Sequence, residues 1–250
     1  MDEAHRLQQV KDRVWFYEFD LPDGSRTTSN IPADILLIHT FRRDKLIEVI
    51  NRFVPDSHEL TAFDLASHEG YYSVELARHF RAVRGFEIRD SSREAAELMI
   101  DVLGLDNVSY AKADLQQMPH DPDKTADFVL LYGLLYHMED PIHLLRLASQ
   151  MARRHILIET QIFPYDVSGR IEDGSFANLR PVEGVFALTT DYAEQREGGS
   201  TDIALVPSLN ALLFLMRTFG FVDIEVLPAG GGDYEQFRRG TRVIVYGRKP

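Results

Sequence analysis

The feature that most constrains the fold is the stretch at residues 60–73, which reads LTAFDLASHEGYYS. An apolar run ending at Leu65 leads into a short polar turn and then into a helical pattern, which predicts a buried strand that feeds a helix. Asp64 stands near the end of this predicted strand, and Gly70 stands at the start of the helix. The turn suits a ligand with an amino group, a carboxylate and a ribose, because helix-terminal N–H groups attract anions and glycine has no Cβ.

Two further apolar runs also end in a carboxylate. The segment AVRGFEIRD at 82–90 contains Glu87, and the segment VSYAKADL at 108–115 contains Asp114. Glu87 follows Asp64 at close to the roughly 20 residues that separate the first turn of a βαβ unit from its ribose-binding acid. Since neighbouring parallel strands end at one edge of a sheet, three acids there would suit an adenosine cofactor with an amino-acid tail.

These segments resemble the class I S-adenosylmethionine-dependent methyltransferases. The resemblance rests on DLASHEG at 64–70, VRGFE at 83–87, ADL at 113–115 and ADFVLLYGLLYHMEDP at 126–141. It implies an α/β fold with a Rossmann-like, doubly wound sheet of seven strands, mostly parallel with the last strand antiparallel. It also implies S-adenosylmethionine as cofactor, bound by Asp64, Ala66, Gly70, Glu87, Ala113, Asp114, Leu115 and Tyr132.

Two later segments are similar to one branch of that family. They are RRHILIET at 153–160 and DIALVPSLNALLFLMRTFGF at 202–221. The branch contains the enzymes that modify wobble uridine in transfer RNA and the small-molecule methyltransferases related to them. The chain departs from the family at Ala66 and His68, which stand where glycines are common. Because an alanine at positive φ would be strained, we expect an allowed conformation or a differently shaped turn.

Composition narrows the possible partners. A chain of 250 residues, 44% of them hydrophobic, can bury one sizeable core. The net charge of −12 argues against a broad nucleic-acid interface, and the absence of cysteine excludes disulfides and thiolate sites. The charged amino terminus has no signal-peptide core and no apolar run is long enough for a membrane span, so we expect a soluble cytoplasmic protein. A homodimer is compatible with the sequence.

The chain divides into an N-terminal extension of helix and strand at 1–55, which we expect to pack on the core, and a methyltransferase domain at 56–250. Alternation at 15–25 predicts a strand in the extension, and apolar spacing predicts a helix over 34–53. Arg42 and Arg43 could reach the cofactor carboxylate, although a solvated helix face is favoured. Packing is likewise favoured over pocket lining for the aromatic residues Trp15, Phe16, Tyr17 and Phe19.

The sequence predicts where three helices start, but it shows no regular secondary structure in one long segment. The sequence SSRE at 91–94 predicts a capping box at Ser91, Asp140 with Pro141 predicts a second helix start, and Ser208 a third. Residues 161–206 show no clear period. A segment of this length that follows the strand at 155–160 is expected to be a lid over the substrate. Its aromatic residues are Phe163, Tyr165, Phe176, Phe186 and Tyr192.

The candidate catalytic residues follow the fourth and fifth strands of the predicted sheet. His137 is the best candidate for a general base, the alternative being a histidine that only hydrogen-bonds at a helix start. Glu159 could orient a substrate amine or hydroxyl, or pair with Arg153 or Arg154. Tyr136 could contact the methyl group or the substrate, or form only part of the wall. A metal site of His137, Glu159 and His143 has no recognised ligand spacing and is rejected.

The leading interpretation is S-adenosylmethionine-dependent methyl transfer to an oxygen or nitrogen of a small-molecule acceptor, such as a secondary metabolite. The alternative within the family branch is modification of wobble uridine in transfer RNA, which the acidic charge makes less favourable. A third interpretation, suggested by Ala66 and His68, is a cofactor-binding protein of the same fold without catalytic activity.

Overall fold

The computed structural model describes residues 3–167, 169–172, 179–191, 202–230 and 233–250. The strands are β1 (Val14–Trp15), β2 (Thr28–Ser29), β3 (Thr61–Leu65), β4 (Ala82–Glu87), β5 (Val108–Lys112), β6 (Ala126–Tyr132), β7 (Ala152–Gln161), β8 (Gly169–Glu172), β9 (Leu179–Val182), β10 (Phe186–Thr190), β11 (Ile203–Pro207), β12 (Asp223–Val226) and β13 (Arg242–Arg248). The helices are α1 (Glu3–Asp12), α2 (Ala33–Phe53), α3 (Tyr71–Ala77), α4 (Asp90–Leu103), α5 (Pro141–Met151), α6 (Leu209–Thr218) and α7 (Glu235–Arg238), with short 3-10 turns at Ser57–Glu59 and Leu135–His137.

Seven strands form one twisted sheet in the order β5-β4-β3-β6-β7-β13-β12. The pairs among β5, β4, β3, β6 and β7 are parallel, whereas β13 is antiparallel to both of its neighbours. The predicted doubly wound, mostly parallel sheet with an antiparallel last strand is therefore confirmed. The strand order reverses between β3 and β6, and ligands of open α/β sheets bind at the carboxyl ends of the strands beside such a reversal.

The central strands are buried on both faces, which is why they read as continuous apolar runs. Along β6, Phe128 and Leu130 join one apolar cluster with α2, α3 and α4. The intervening Val129 and Leu131 join a second cluster with α5 and α6. Because successive side chains of a strand point to opposite faces, the single run at 127–132 supplies both halves of the core.

The N-terminal extension packs on the first of these clusters. Val10 and Trp15 are fully buried there, and the Trp15 Nε1–H donates to the carbonyl oxygen of Val10 at 2.8 Å. The predicted helix over 34–53 is confirmed as α2. The predicted strand over 15–25 is wrong in extent, because the structure pairs only β1 with β2 and forms one isolated bridge between Asp20 and Arg26.

Two of the three predicted helix starts are correct. Asp140 accepts a hydrogen bond from the His143 N–H at 2.9 Å, and Ser208 caps α6. The capping box at Ser91 is wrong, because α4 begins at Asp90 and its N-cap Arg89 makes no side-chain cap bond. Glu87 accepts the backbone N–H of Arg89 at 2.9 Å, so the preceding strand already determines the path of the chain into the helix.

The segment at 161–206 contains regular structure that its sequence did not reveal. β8 pairs with β9 and β10 with β11, both antiparallel. The Leu205 N–H donates to the Met138 carbonyl at 2.9 Å and so attaches β11 to the chain beside the Leu135–His137 turn. The side chains of β10 are half-buried or exposed on both faces of the strand. Its sequence therefore does not alternate between apolar and polar residues. Phe176 and Tyr192 lie outside the described residues. In the part of the chain that the structure covers, no helix is long and apolar enough to span a membrane.

Candidate functional site

A cavity of about 590 Å³ opens at the carboxyl ends of β3, β4, β5 and β6. This is the edge at which the sheet reverses its strand order. Among the residues that the sequence predicts for the site, those that line the cavity are Ala66, Glu87, Ala113, Asp114, Leu115, Tyr132, Tyr136 and His137. Asp64, Gly70 and Glu159 are outside its lining.

The Glu87 carboxylate lines the cavity and is hydrogen-bonded to the turn after β3 and to the residue before α4. Its Oε2 accepts the His68 N–H at 2.8 Å, and its Oε1 accepts the backbone N–H and the Nε–H of Arg89 at 2.9 and 3.0 Å. A carboxylate has about four lone-pair sites, so roughly one remains for a ligand donor. Asp114 is on the neighbouring strand end, where its Oδ1 accepts the Gln116 N–H at 2.9 Å.

The turn after β3 has a left-handed backbone without glycine at two positions. Ala66 has φ of 59° and His68 has φ of 52°. These angles fall in the small left-handed region that L-residues occupy at a cost of roughly 1–2 kcal/mol each. The Ser67 N–H donates to the Phe86 carbonyl at 3.0 Å, and His68 is held by Glu87. The turn therefore keeps an allowed conformation through its hydrogen bonds to β4.

Asp64 and Gly70 do not line the cavity and have neighbours inside the protein. Asp64 is buried beneath the turn and accepts the Ser73 hydroxyl at 2.6 Å. Burial raises the pKa of this carboxyl group to about 7, against the opposing hydrogen bond from Ser73. Gly70 has φ of 82°, and a Cβ at that position would collide with the hydroxyl of Tyr110. The glycine is needed for its backbone angle and for its packing against Tyr110.

Glu159 lies in a buried ion cluster behind the cavity wall. Its two oxygens lie 2.5 Å from Arg42 Nη2 and 2.7 Å from Arg242 Nη1, and the three side chains are 0%, 8% and 6% exposed. Burial lowers the pKa of Arg42 and the Glu159 carboxylate raises it. The net effect is a pKa well above the ordinary value. The expected partners of Glu159 bind elsewhere, Arg153 to Asp127 and Arg154 to Asp56.

The position of Arg42 corrects the favoured interpretation of α2. Arg42 lines the cavity and is buried, so its side of α2 is not a solvated face. Only Arg43 fits that description, since it pairs with the exposed Asp44. The two arginines are adjacent in sequence, and only the packing of α2 against the sheet turns one inward. Two guanidinium groups then share the single Glu159 carboxylate.

The opposite wall comes from the Leu135–His137 turn. Arg242 Nη2 donates to the Tyr136 hydroxyl at 3.1 Å, and the guanidinium group lies 4.7 Å from the centre of the Tyr136 ring. Tyr132 donates its hydroxyl to the Arg42 carbonyl at 3.4 Å. His137 Nδ1 lies 2.9 Å from Asp191 Oδ1. Both Asp191, which follows β10, and His137 line the cavity.

The N-terminal extension supplies a third wall, which sequence reasoning largely missed. Trp15, Tyr17 and Phe19 belong to the core and Phe16 packs against it, as preferred, and Phe16 and Tyr17 also line the cavity. Ile31, which precedes α2, also lines it, as do Ile35 and Ile38, whose spacing of three places them on one face of α2. That apolar spacing is the feature of the sequence that could have indicated this wall.

The buried His39 and the half-buried His68 complete the region between the extension and the turn after β3. His39 lies 4.5 Å from the ring of Tyr17, and His68 lies 4.9 Å from the ring of Phe16, measured between ring centres. Burial, with neighbouring positive charge, lowers the pKa of His39 to about 3 and that of His68 to about 4. Both imidazoles are therefore neutral near pH 7.

Comparison with known proteins identifies the family. The sequence model of a family described as "methyltransferase domain" matches residues 38–198. The tRNA U34 carboxymethyltransferase of Desulfotalea psychrophila (strain LSv54 / DSM 12343) is 25% identical over 191 residues, which cover 74% of this chain and 52% of that protein. The chain thus spans about half the length of this curated relative.

Solved structures share the fold over most of the chain. The N-terminal domain of EvdMO1 with SAH bound has a TM-score of 0.73 and 22% identity, covering 100% of this chain and 98% of that one. The same domain in the presence of SAH and D-fucose has a TM-score of 0.69 and 23% identity, with the same coverage. Magnesium protoporphyrin IX methyltransferase (ChlM) from Synechocystis PCC 6803 with bound SAM has a TM-score of 0.56 and 14% identity, covering 88% and 86%.

The fold, the cavity at the strand ends and the family match point to the same assignment. The structural neighbours with bound SAM or SAH share the fold described above. The family model covers more than half of the sequence and includes β3 to β7. The chain therefore belongs to the methyltransferase domain family and has the Rossmann-like fold of S-adenosylmethionine-dependent methyltransferases.

Proposed function

We propose that this protein transfers a methyl group from S-adenosylmethionine to an oxygen or nitrogen of a small molecule. The observation that carries the proposal is the cavity of about 590 Å³, which joins the acids at the ends of β4 and β5 to His137. Its size falls within the roughly 300–1,000 Å³ of small-molecule sites. The net charge of −12 also favours a small acceptor over a nucleic acid.

The residues at the strand ends fit the cofactor. Glu87 has a lone-pair site left for a ribose hydroxyl, and Asp114 stands on the next strand end for the adenine side. The aromatic rings of Phe16 and Tyr17 with the neutral His39 form a wall compatible with a sulfonium cation. When bound, the cofactor supplies an electrophilic methyl group.

His137 is proposed as the general base. With the cofactor held at Glu87 and Asp114, its methyl group would be available to the lone pair of the acceptor, and His137 would take up the proton that the acceptor loses. Tyr136 contributes to the wall beside the acceptor. Glu159 acts through Arg42 and Arg242, whose guanidinium groups it holds in the wall, rather than on the acceptor.

The extension at 1–55 and the lid at 161–206 are proposed to enclose the acceptor. The extension supplies one wall of the cavity, and Gln161 and Asp191 from the lid segment also line it. The described aromatic residues of that segment are not in the lining. Enclosure would exclude water from the methyl group and hold the two reactants in line.

Two relatives suggest which acceptors to test first. The EvdMO1 domain was crystallised in the presence of D-fucose, so sugars form the first panel. The transfer-RNA enzyme of D. psychrophila supports the second candidate, wobble-uridine modification. A thermal-shift screen of metabolites in the presence of S-adenosylhomocysteine should identify an acceptor, because ligand binding raises stability by mass action. Salt-sensitive affinity for transfer RNA with no metabolite hit would favour the second candidate.

The role of His137 is tested with two substitutions. His137→Ala and His137→Gln should each lower kcat roughly 10²–10⁴-fold, the contribution of a positioned general base, while calorimetry shows little change in affinity for S-adenosylhomocysteine. The exposed His120→Gln is the matched control and should keep wild-type turnover. Near-normal turnover in His137→Gln would show that the residue only makes a hydrogen bond, since glutamine cannot accept a proton at neutral pH.

A further inference from the structure

We propose that Asp191 is a positioning residue for His137: it holds the imidazole with its proton on Nδ1, which leaves the lone pair on Nε2 for the acceptor proton. The proposal rests on the proposed role of His137 as general base. It gives the segment at 161–206 a part in the reaction. No other residue of that segment is proposed to be catalytic or to position a catalytic group.

The contact itself defines the tautomer. His137 Nδ1 and Asp191 Oδ1 are 2.9 Å apart, and the two side chains are 26% and 7% exposed. An ionised carboxylate only accepts hydrogen bonds, so the hydrogen between these atoms belongs to Nδ1. A neutral imidazole carries one ring proton, and Nε2 is then the nitrogen with the lone pair.

Other bonds already attach the segment to the core, so this pair is not needed for that purpose. The Leu205 N–H of β11 donates to the Met138 carbonyl at 2.9 Å, next to His137 in the chain. The Asp191 N–H donates to the Asp202 carbonyl at 3.1 Å, which closes the end of the β10–β11 pair. The side chain of Asp191 is therefore placed by backbone bonds of its own hairpin.

Two charged groups lie near His137: Arg242, which is paired with Glu159, and Asp191. The Tyr136 ring lies 4.1 Å from the imidazole between ring centres, and Arg242 lies on the Tyr136 ring. Arg242 is paired on the far side of the wall with Glu159, a carboxylate that it shares with Arg42. Asp191 is the carboxylate in contact with the imidazole, and it would stabilise the imidazolium ion that forms when the acceptor proton is taken up.

The test compares Asp191→Asn and Asp191→Ala with Glu183→Gln, which removes an exposed carboxylate from the same segment. Protein labelled with ¹⁵N-histidine and saturated with S-adenosylhomocysteine reports the His137 tautomer by NMR across a pH titration. Turnover is measured with the acceptor found by the metabolite screen. Affinity for S-adenosylhomocysteine is measured by calorimetry.

The wild-type protein and Glu183→Gln should show the Nδ1–H form of neutral His137, and both Asp191 variants should lose it. In these variants kcat should fall by roughly 10- to 10³-fold, within what a general base contributes, while affinity for S-adenosylhomocysteine changes less than about twofold. The rise of kcat with pH should also move to lower pH, because the imidazolium ion loses its neighbouring anion.

Three results would overturn the inference. One is an Nε2–H form of His137 in the wild-type protein, and another is an unchanged kcat in both Asp191 variants. The third is a fall in cofactor affinity as large as the fall in kcat, which would mark Asp191 as part of the scaffold. If the tautomer depends on Asp191 but the wild-type protein methylates no acceptor, the contact is confirmed and the proposed function fails instead.

Discussion

The buried cluster of Glu159 with Arg42 and Arg242 yields a prediction whose size follows from its burial. Glu159→Gln keeps the shape of the side chain and removes its charge. Two guanidinium groups, 8% and 6% exposed, would then face each other without an anion. Removing one partner of a buried pair costs about 3–5 kcal/mol, because the remaining charge cannot be solvated. Since two cations share this carboxylate, we expect the upper half of that range.

The measurement is equilibrium unfolding in urea, followed by circular dichroism. The midpoint should fall with little change in m, because the surface exposed on unfolding is the same. For a chain of this length, a loss of about 4–5 kcal/mol corresponds to a decrease in Tm of roughly 8–20 °C. The control is Glu225→Gln, which breaks the surface pair with Arg52, whose side chains are 35% and 53% exposed. Exposed pairs contribute about 0–1 kcal/mol.

A loss below about 1 kcal/mol in Glu159→Gln, comparable to the control, would refute the reasoning, because it would show that the arginines are solvated without Glu159. A variant with unchanged stability and strongly reduced kcat would return Glu159 to the catalytic role that the sequence suggested. The two measurements together therefore decide between an ion cluster that maintains the wall and a residue that acts on the acceptor.

Three further predictions concern the cofactor edge of the sheet. Glu87→Ala should weaken binding of S-adenosylhomocysteine by about 2 kcal/mol or more, since charge-assisted hydrogen bonds are lost; calorimetry with the fold intact checks this, and an unchanged Kd would remove the ribose assignment. Asp64 has a folded-state pKa of about 7, above its ordinary 3.8, so the folded chain binds this proton more tightly and stability should fall as pH rises from about 4 to about 7. By linkage this loss of stability is on the order of 4 kcal/mol, and Asp64→Asn should not show it. Parallel curves of unfolding free energy against pH for the two proteins would contradict the raised pKa of Asp64. Ala66→Gly should be neutral or stabilising by up to about 1 kcal/mol, because relief of the left-handed strain exceeds the added chain entropy; a clear destabilisation in urea would show that Ala66 is unstrained.

The local sequence predicted the sheet well because the central strands are buried on both faces. The apolar runs that end at Leu65, Glu87 and Tyr132 coincide with the ends of β3, β4 and β6. The capping residues Asp140 and Ser208 were equally clear, since an N-cap requires a short polar side chain at one position. The strand β10 was missed because its side chains are half-buried or exposed and do not alternate.

The site was predictable only where it depends on the ends of strands. Glu87 and Asp114 are in the cavity because each follows a parallel strand of known direction. Asp64 and Gly70 stand at similar positions in the sequence, yet they face Ser73 and Tyr110 inside the protein. One residue of difference along a strand or turn reverses the direction of a side chain, and the motif alone does not specify that direction.

The sequence by itself determined where the central strands lie and which acids stand at their ends, because hydrophobic period and residue position are local properties. Tertiary structure alone brought Asp191 to His137, and Arg42 and Arg242 to Glu159. These partners are separated along the chain by whole helices and strands, and no local pattern records which distant charge a buried group will meet. The pairing follows from packing, since a charge removed from water must find an opposite charge or a hydrogen bond wherever the fold supplies one.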